Sequence, residues 1–262
     1  ALGGYAMTAV TALTAQNTLG VEAVSAVAPA FVEAQIDAVL GDLGADCVKT
    51  GMLHSAEVID ALLAALDRNG WSGPLVVDPV MVAQSGARLL EDQALRALRD
   101  RLLPRATLLN PNLPEAEALL GYPVTTVEAM QDAAVALNAM AGGGAVLVKG
   151  GHLDRDDLVD VLHDGEQVHV FHHRRVETTE THGTGCTLAS AIATGLAQGQ
   201  ELASAVARGR TYLLEALRTA PGLGSGQGPV NHMHTLHPAL VWTPDSESDE
   251  ELGPGLGEEH AD

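Results

Sequence analysis

The chain has 262 residues, 46% hydrophobic and 3% aromatic, with two cysteines and a formal charge of −20 at pH 7. That size and apolar content fit one α/β domain with a core of Ala, Val and Leu rather than a disordered chain, and the charge argues against a nucleic-acid partner, which needs a basic surface. No apolar run is long enough to span a bilayer, no signal-peptide pattern opens the chain, and Cys47 and Cys186 form neither a disulfide framework nor a metal quartet, so a reducing cytoplasm is the expected setting.

In chain order, short β-branched runs alternate with alanine-rich helical patterns. Strands are expected at Ala6–Leu13 and Val21–Val27, then a helix over Ala30–Leu43. A strand at Cys47–Thr50 precedes a helix at Ala56–Asn69, and a strand at Leu75–Val77 precedes one at Glu91–Leu103. Thr107–Leu109 is followed by helices at Pro114–Leu120 and Val127–Met140, then a strand at Ala145–Val148. Leu158–Leu162 and Gln167–Phe171, joined through Asp164-Gly165, read as a β-hairpin. Helices at Thr187–Gln198 and Leu202–Arg218 close the pattern. Such alternation is the signature of βαβ units and a mainly parallel sheet.

Pro221 to Gly228 is a loop rich in glycine and serine, and no internal repeat is present. From Asp245 to Asp262 there are eight acids and no Lys or Arg, so this stretch carries −8 of the −20. Residues 241–262 are expected to be a disordered acidic tail outside a domain at 1–240. Ala1 is not an initiator methionine, and a strand-like segment starts almost at once, so the chain reads as a fragment.

The hexapeptide Thr181-His182-Gly183-Thr184-Gly185-Cys186 opens an alanine-rich helix. Gly183, Thr184 and Gly185 leave backbone N–H groups unobstructed at the positive end of a helix dipole, which suits a phosphate or a developing anion. Cys186 falls in the first turn, where a thiol pKa is expected to drop. Three further polar clusters end predicted strands, where open α/β sheets bind ligands: Asp78 after Leu75-Val76-Val77, Glu115 after Asn110-Pro111-Asn112, and Lys149 before Gly150-Gly151. Each alone reads as a cap or a surface group. Together they offer two acids for magnesium, a lysine for phosphate and an anion hole, the equipment of ATP-dependent phosphoryl transfer. Lys49 and Lys149 are the only lysines.

With these residues in view, the chain resembles the hydroxymethylpyrimidine/phosphomethylpyrimidine kinases of thiamin biosynthesis, within the ribokinase-like family. The resemblance is carried by Thr11–Thr18, Val48–Leu53, Val77–Met81, Asn112–Glu115, Thr181–Cys186 and Gly228–His232, and covers residues 1 to about 238. It implies a three-layer α/β/α sandwich and a homodimer. It also implies a two-step reaction: ATP phosphorylates hydroxymethylpyrimidine, and a second ATP phosphorylates the monophosphate to the diphosphate. By the same resemblance Gln16 contacts the aminopyrimidine, Met52 and Val80 line the ring pocket, Asp78 and Glu115 act on Mg2+, and Lys149 and Thr184 contact ATP. Cys186 stands with the anion hole of Gly183, Thr184 and Gly185 at the point of transfer, where sugar kinases carry an aspartate. Lys49 has either a site or a structural role. The family begins with a strand and a glycine-rich segment bearing an aspartate, and this chain begins after them.

Other readings stay open on the residues. A pyridoxal or pyridoxine kinase shares the thiol, and the truncated start fits a non-catalytic pyrimidine-binding remnant. Cys186 with His182 suggests a cysteine hydrolase, against which stands the lack of an orienting third residue. His172-His173 and His232-Met233-His234 have ligand-like spacing but lack a third ligand at a recognisable distance.

Overall fold

The computed structural model describes residues 1–81 and 90–236; the acidic tail expected at 241–262 lies outside them. Strand alternation decides the layering. In β4 (Leu75–Val77), Leu75 and Val77 face one core while Val76 faces another. In β5 (Leu108–Leu109) the two leucines divide in the same way, and in β6 (Ala145–Val148) Val146 and Val148 turn one way, Ala145 and Leu147 the other. Burying both faces of a strand requires helices on each side. The first core is closed by α1 (Pro29–Asp42), α2 (Ala56–Arg68), α3 (Asp92–Ala97), α4 (Leu113–Leu120) and α5 (Val127–Met140). The second is closed by α6 (Thr184–Ala197) and α7 (Leu202–Arg218). Each buried Val or Leu contributes about 1.5–3 kcal/mol. The expected three-layer sandwich is therefore the observed one.

The central sheet has the order β3-β4-β5-β6-β7-β8, where β3 is Val48–Thr50, β7 is Asp157–His163 and β8 is Val168–Arg174. Strands β3 to β6 are parallel, with Thr50, Val77, Leu109 and Val146 in one register row. The expected hairpin appears as β7–β8, with β7 antiparallel to both β6 and β8. Because the parallel strands end in step, the residues that follow them gather along one edge.

Two expectations need correction. The strand expected at Ala6–Leu13 is displaced to β1 (Ala12–Asn17), and with β2 (Gly20–Ala26) it forms a separate two-stranded antiparallel sheet. The cause is local: Asn17 Oδ1 accepts from the N–H groups of Leu19 (2.9 Å) and Gly20 (3.2 Å), which closes a tight turn and places the strand directly before it. The helix expected over Glu91–Leu103 is α-helical only through Ala97. It continues as a π turn at Leu98–Leu102 and a 3-10 turn at Leu103–Arg105, which contains Pro104.

The tip of the β1–β2 hairpin docks on the glycine-rich loop. Thr18 Oγ1 accepts from the Gly226 N–H at 3.2 Å, and its carbonyl accepts from the Gln227 N–H at 2.8 Å. A methyl group at Gly226 would lie 2.2 Å from Thr18 O, so only glycine allows this approach.

Candidate active site

The site is built along the edge where the parallel strands end. Lys149 follows β6, and its Nζ donates to Asp78 Oδ1 at 2.9 Å and to the Asn110 carbonyl at 2.7 Å. Asp78, which follows β4, is 2% exposed. Burial works to lower the Lys149 pKa, but the charges of Asp78 and Glu115 outweigh it and the net shift is upward. The ammonium is thus kept charged in a buried place, as an anion-binding group must be.

Glu115 sits in the first turn of α4 within a capping box. Its Oε2 accepts from the Asn112 N–H at 2.8 Å, while Asn112 Oδ1 accepts from the Glu115 N–H at 2.9 Å. The carboxylate also accepts from the Met81 N–H, which ties the turn after Asp78 to the start of α4. Burial pushes its pKa up to about 7; Lys149 opposes the shift and Asp78 adds to it.

The hexapeptide reaches the same place. Gly183 takes the left-handed conformation (φ 82°) as the N-cap of α6, and no side chain caps that end. The first-turn N–H groups of α6 therefore have no side-chain partner at the cap. A methyl group at Gly185 would lie 3.4 Å from Lys149 Nζ and 3.7 Å from Asp78 Oδ2, so the open helix end meets the lysine–aspartate pair. The His182 N–H donates to the Gly228 carbonyl at 3.0 Å, anchoring the segment on the C-terminal loop.

Cys186 opens to the cleft as an exposed residue, yet the surrounding protein desolvates its thiol and raises the pKa. Lys49 opposes this most strongly, Lys149 less so, and Asp78 and Glu115 reinforce it. The shift is upward rather than the expected fall: desolvation, with Asp78 and Glu115, outweighs the charges of Lys49 and Lys149, and the resting thiol is protonated. Lys49, whose role the residues left open, is the leading charge that opposes this shift. A methyl group at Gly51 would lie 3.0 Å from its Nζ.

Asp78, Glu115, Lys149, Gly185 and Cys186 are thus brought together, with Lys49. Gln16 lines a cavity of about 360 Å³ under the β1–β2 hairpin, shared with Thr18, Thr179, His182 and Gln227. Met52 follows β3, and its carbonyl accepts from Thr11 Oγ1 at 2.6 Å. Val80 is half-buried in the turn after Asp78. Asn110 had no assigned role, although its carbonyl holds Lys149; its side-chain amide is fully buried and has no hydrogen-bond partner among the described residues. The signal was present in the polar run Asn110-Pro111-Asn112, where it read as a turn. Of the paired histidines, His172 meets Asp157, His173 Nδ1 lies 2.8 Å from the Arg210 guanidinium, and His234 packs at a tilt against Tyr212. No cluster of three or more His, Cys, Asp or Glu suited to a metal occurs among the described residues, and no helix there is long and apolar enough to cross a membrane.

The family described as phosphomethylpyrimidine kinase matches residues 1–231. The chain is 51% identical over 232 residues to a thiamine biosynthesis bifunctional protein of Geobacter sulfurreducens, covering 88% of this chain and 47% of that protein. It therefore spans about half the length of that relative. It is 41% identical to a hydroxymethylpyrimidine/phosphomethylpyrimidine kinase of Bacillus subtilis, covering 87% of this chain and 84% of that one. Among solved structures, an ADP complex of Bacillus subtilis pyridoxal kinase superposes with a TM-score of 0.80 at 31% identity, covering 88% of each chain. A phosphomethylpyrimidine kinase of Clostridium difficile gives 0.71 at 37% identity, covering 82% of this chain and 88% of that one. With a lysine–aspartate pair at an open helix end and a family match across residues 1–231, the chain belongs to the phosphomethylpyrimidine kinase family.

Proposed function

We propose that this chain phosphorylates hydroxymethylpyrimidine and then its monophosphate, using one ATP in each step, to give the diphosphate required for thiamin biosynthesis. In the first step the substrate hydroxyl oxygen attacks the γ-phosphorus and the bond to the ADP bridging oxygen breaks. The hydroxyl proton passes to the sulfur of Cys186 in its thiolate form, which is the minor form at neutral pH because burial raises the thiol pKa. In the second step the monophosphate is already anionic near neutral pH and needs no base. The observation that carries this reading is the meeting of Gly185 with Lys149 and Asp78, which puts an anion-binding helix end beside a buried cation. Gly183, Thr184 and Gly185 receive the transferring phosphoryl group, Lys149 and Thr184 the ATP phosphates, and Gln16, Met52 and Val80 the ring.

Asp78 and Glu115 suit a magnesium ion. Both are hard oxygen donors, and the carboxyl of Glu115 is held near neutral by burial beside Asp78, a condition that a nearby cation relieves. When bound, the ion neutralises charge on the ATP phosphates. Replacing either residue with alanine should raise the magnesium requirement about tenfold or more and lower turnover. Unchanged magnesium dependence in both variants, measured by titrating activity against free magnesium, would reject the assignment. The active form is a homodimer in the cytoplasm.

The two-step reading is tested by stoichiometry: two ADP should form per aminopyrimidine consumed, with a transient monophosphate. One ADP per acceptor, or faster turnover with pyridoxal, would favour the pyridoxal-kinase reading that the structural similarity keeps in view.

A further inference from the structure

Beyond Lys149, β6 stops pairing as a strand. The β6–β7 ladder runs to Val148 opposite Val161, and then the Gly150 N–H donates to the Asp160 side chain, at Oδ1, over 2.9 Å. A methyl group at position 150 would lie 1.8 Å from the Val159 carbonyl, so the backbone is pressed against β7 there. Asp160 is 6% exposed, and its other oxygen accepts from Arg210 Nε of α7 at 2.8 Å. Arg210 also reaches His173 Nδ1 at 2.8 Å, and its guanidinium lies 4.9 Å from the centroid of the Phe171 ring. A carboxylate this deep persists only when it is both compensated and hydrogen-bonded. Here each oxygen has a defined partner, and one of those partners is the peptide that follows Lys149.

We propose that Asp160, held by Arg210, is a positioning residue for Lys149: it fixes the Gly150 peptide and so aims the lysine ammonium at the open end of α6. The proposal rests on Lys149 contacting the nucleotide phosphates. The lysine tip is held by Asp78 Oδ1 and the Asn110 carbonyl, and the flexible four-carbon stem can keep those two bonds in the geometry seen here only while the backbone beneath it stays in place. Arg210 comes from α7, which packs on α6, the helix that carries Gly185. The clamp therefore references the lysine to the helix pair that bears the anion hole. A displacement of about 1 Å at such a point can cost about a hundredfold in rate.

The test is nucleotide affinity, measured by calorimetry with an unhydrolysable ATP analogue and magnesium, beside affinity for the aminopyrimidine. In Asp160→Asn the carboxamide must turn its oxygen to Arg210 and its NH2 to Gly150, which breaks the Gly150 bond without changing side-chain volume. Nucleotide affinity should fall about tenfold while aminopyrimidine affinity holds. Adding Arg210→Met frees the carboxamide oxygen for Gly150 and should restore affinity to within about threefold. In a Lys149→Ala background Asp160→Asn should have no further effect, because the route runs through the lysine. Unchanged nucleotide affinity in Asp160→Asn, a loss that Arg210→Met does not restore, or an equal loss without Lys149 would overturn the proposal. If Lys149→Ala itself left nucleotide affinity intact, the phosphate role of Lys149 would fall, and this proposal with it. Should Asp160→Asn alone fail to fold, Asp160→Asn/Arg210→Met against Asp160→Val/Arg210→Met makes the same comparison in an uncharged network: acceptor kept against acceptor removed.

Discussion

Replacing Cys186 with alanine should slow phosphorylation of the alcohol by about a hundredfold or more, about 3 kcal/mol in the barrier, and slow phosphorylation of the monophosphate much less. Only the alcohol has a proton to lose. The thiol is protonated at rest because desolvation raises its pKa against the pull of Lys49 and Lys149. The alcohol step should therefore accelerate with pH, by about tenfold per unit between roughly pH 7 and 9, as the thiolate becomes populated. That slope should vanish in Cys186→Ala. Aspartate at this position should show the reverse selectivity. Its fixed charge can still serve the alcohol, but it repels an anionic acceptor at close range, beside Asp78 and Glu115. Single-turnover rates for both acceptors, at saturating ATP and magnesium, decide the matter. Equal losses on both would reduce Cys186 to a wall of the anion hole.

Glu115→Gln should stabilise the metal-free protein at pH 8 by up to about 3 kcal/mol and remove a pH dependence from it. The folded-state pKa of about 7 lies above the ordinary value of 4.5, chiefly through burial. The folded protein thus binds this proton more tightly than the unfolded chain does. Stability from this group is fully present below about pH 4.5 and is lost as pH rises through about 7. Glutamine keeps an oxygen for the Asn112 N–H and carries no charge to desolvate. Urea unfolding with a chelator at pH 5, 6, 7 and 8 should show the slope in the unsubstituted protein only. The same slope in the variant would place the titrating group elsewhere.

Much of this arrangement was legible in the residues, and the reason is register. Asp78 and Lys149 each follow a short apolar strand, and Glu115 begins the next helix after one. A parallel sheet carries such residues to one edge whatever their separation in sequence. The β1–β2 hairpin was harder to see because nearly all its residues are exposed, so no alternation of apolar and polar positions marks it. Asn110 was hidden by the proline after it. The Asp160–Arg210 pair joins residues 50 positions apart, and no local period encodes a buried polar contact of that kind. The direction of the Cys186 pKa shift was misjudged for a related reason. A helix start is written in the local sequence, whereas the desolvation that raises this pKa depends on which distant elements close around the sulfur.

The docked hairpin has a consequence for how such a chain can change. The groups proposed to handle the phosphoryl transfer follow the ends of a tightly packed sheet, where a shift of one strand disturbs all its neighbours. Gln16 sits instead on a two-stranded ribbon whose tip is held to the glycine loop by the two Thr18 hydrogen bonds. Under the proposed role of Gln16 in receiving the ring, substitutions on this ribbon would redirect which alcohol enters while the groups on the central sheet stay in place. Pyridoxal kinases superpose on this chain with TM-scores of 0.79 and 0.80 at 30–31% identity; under the proposed division, exchanging the ribbon between two such frames should carry the choice of alcohol with it.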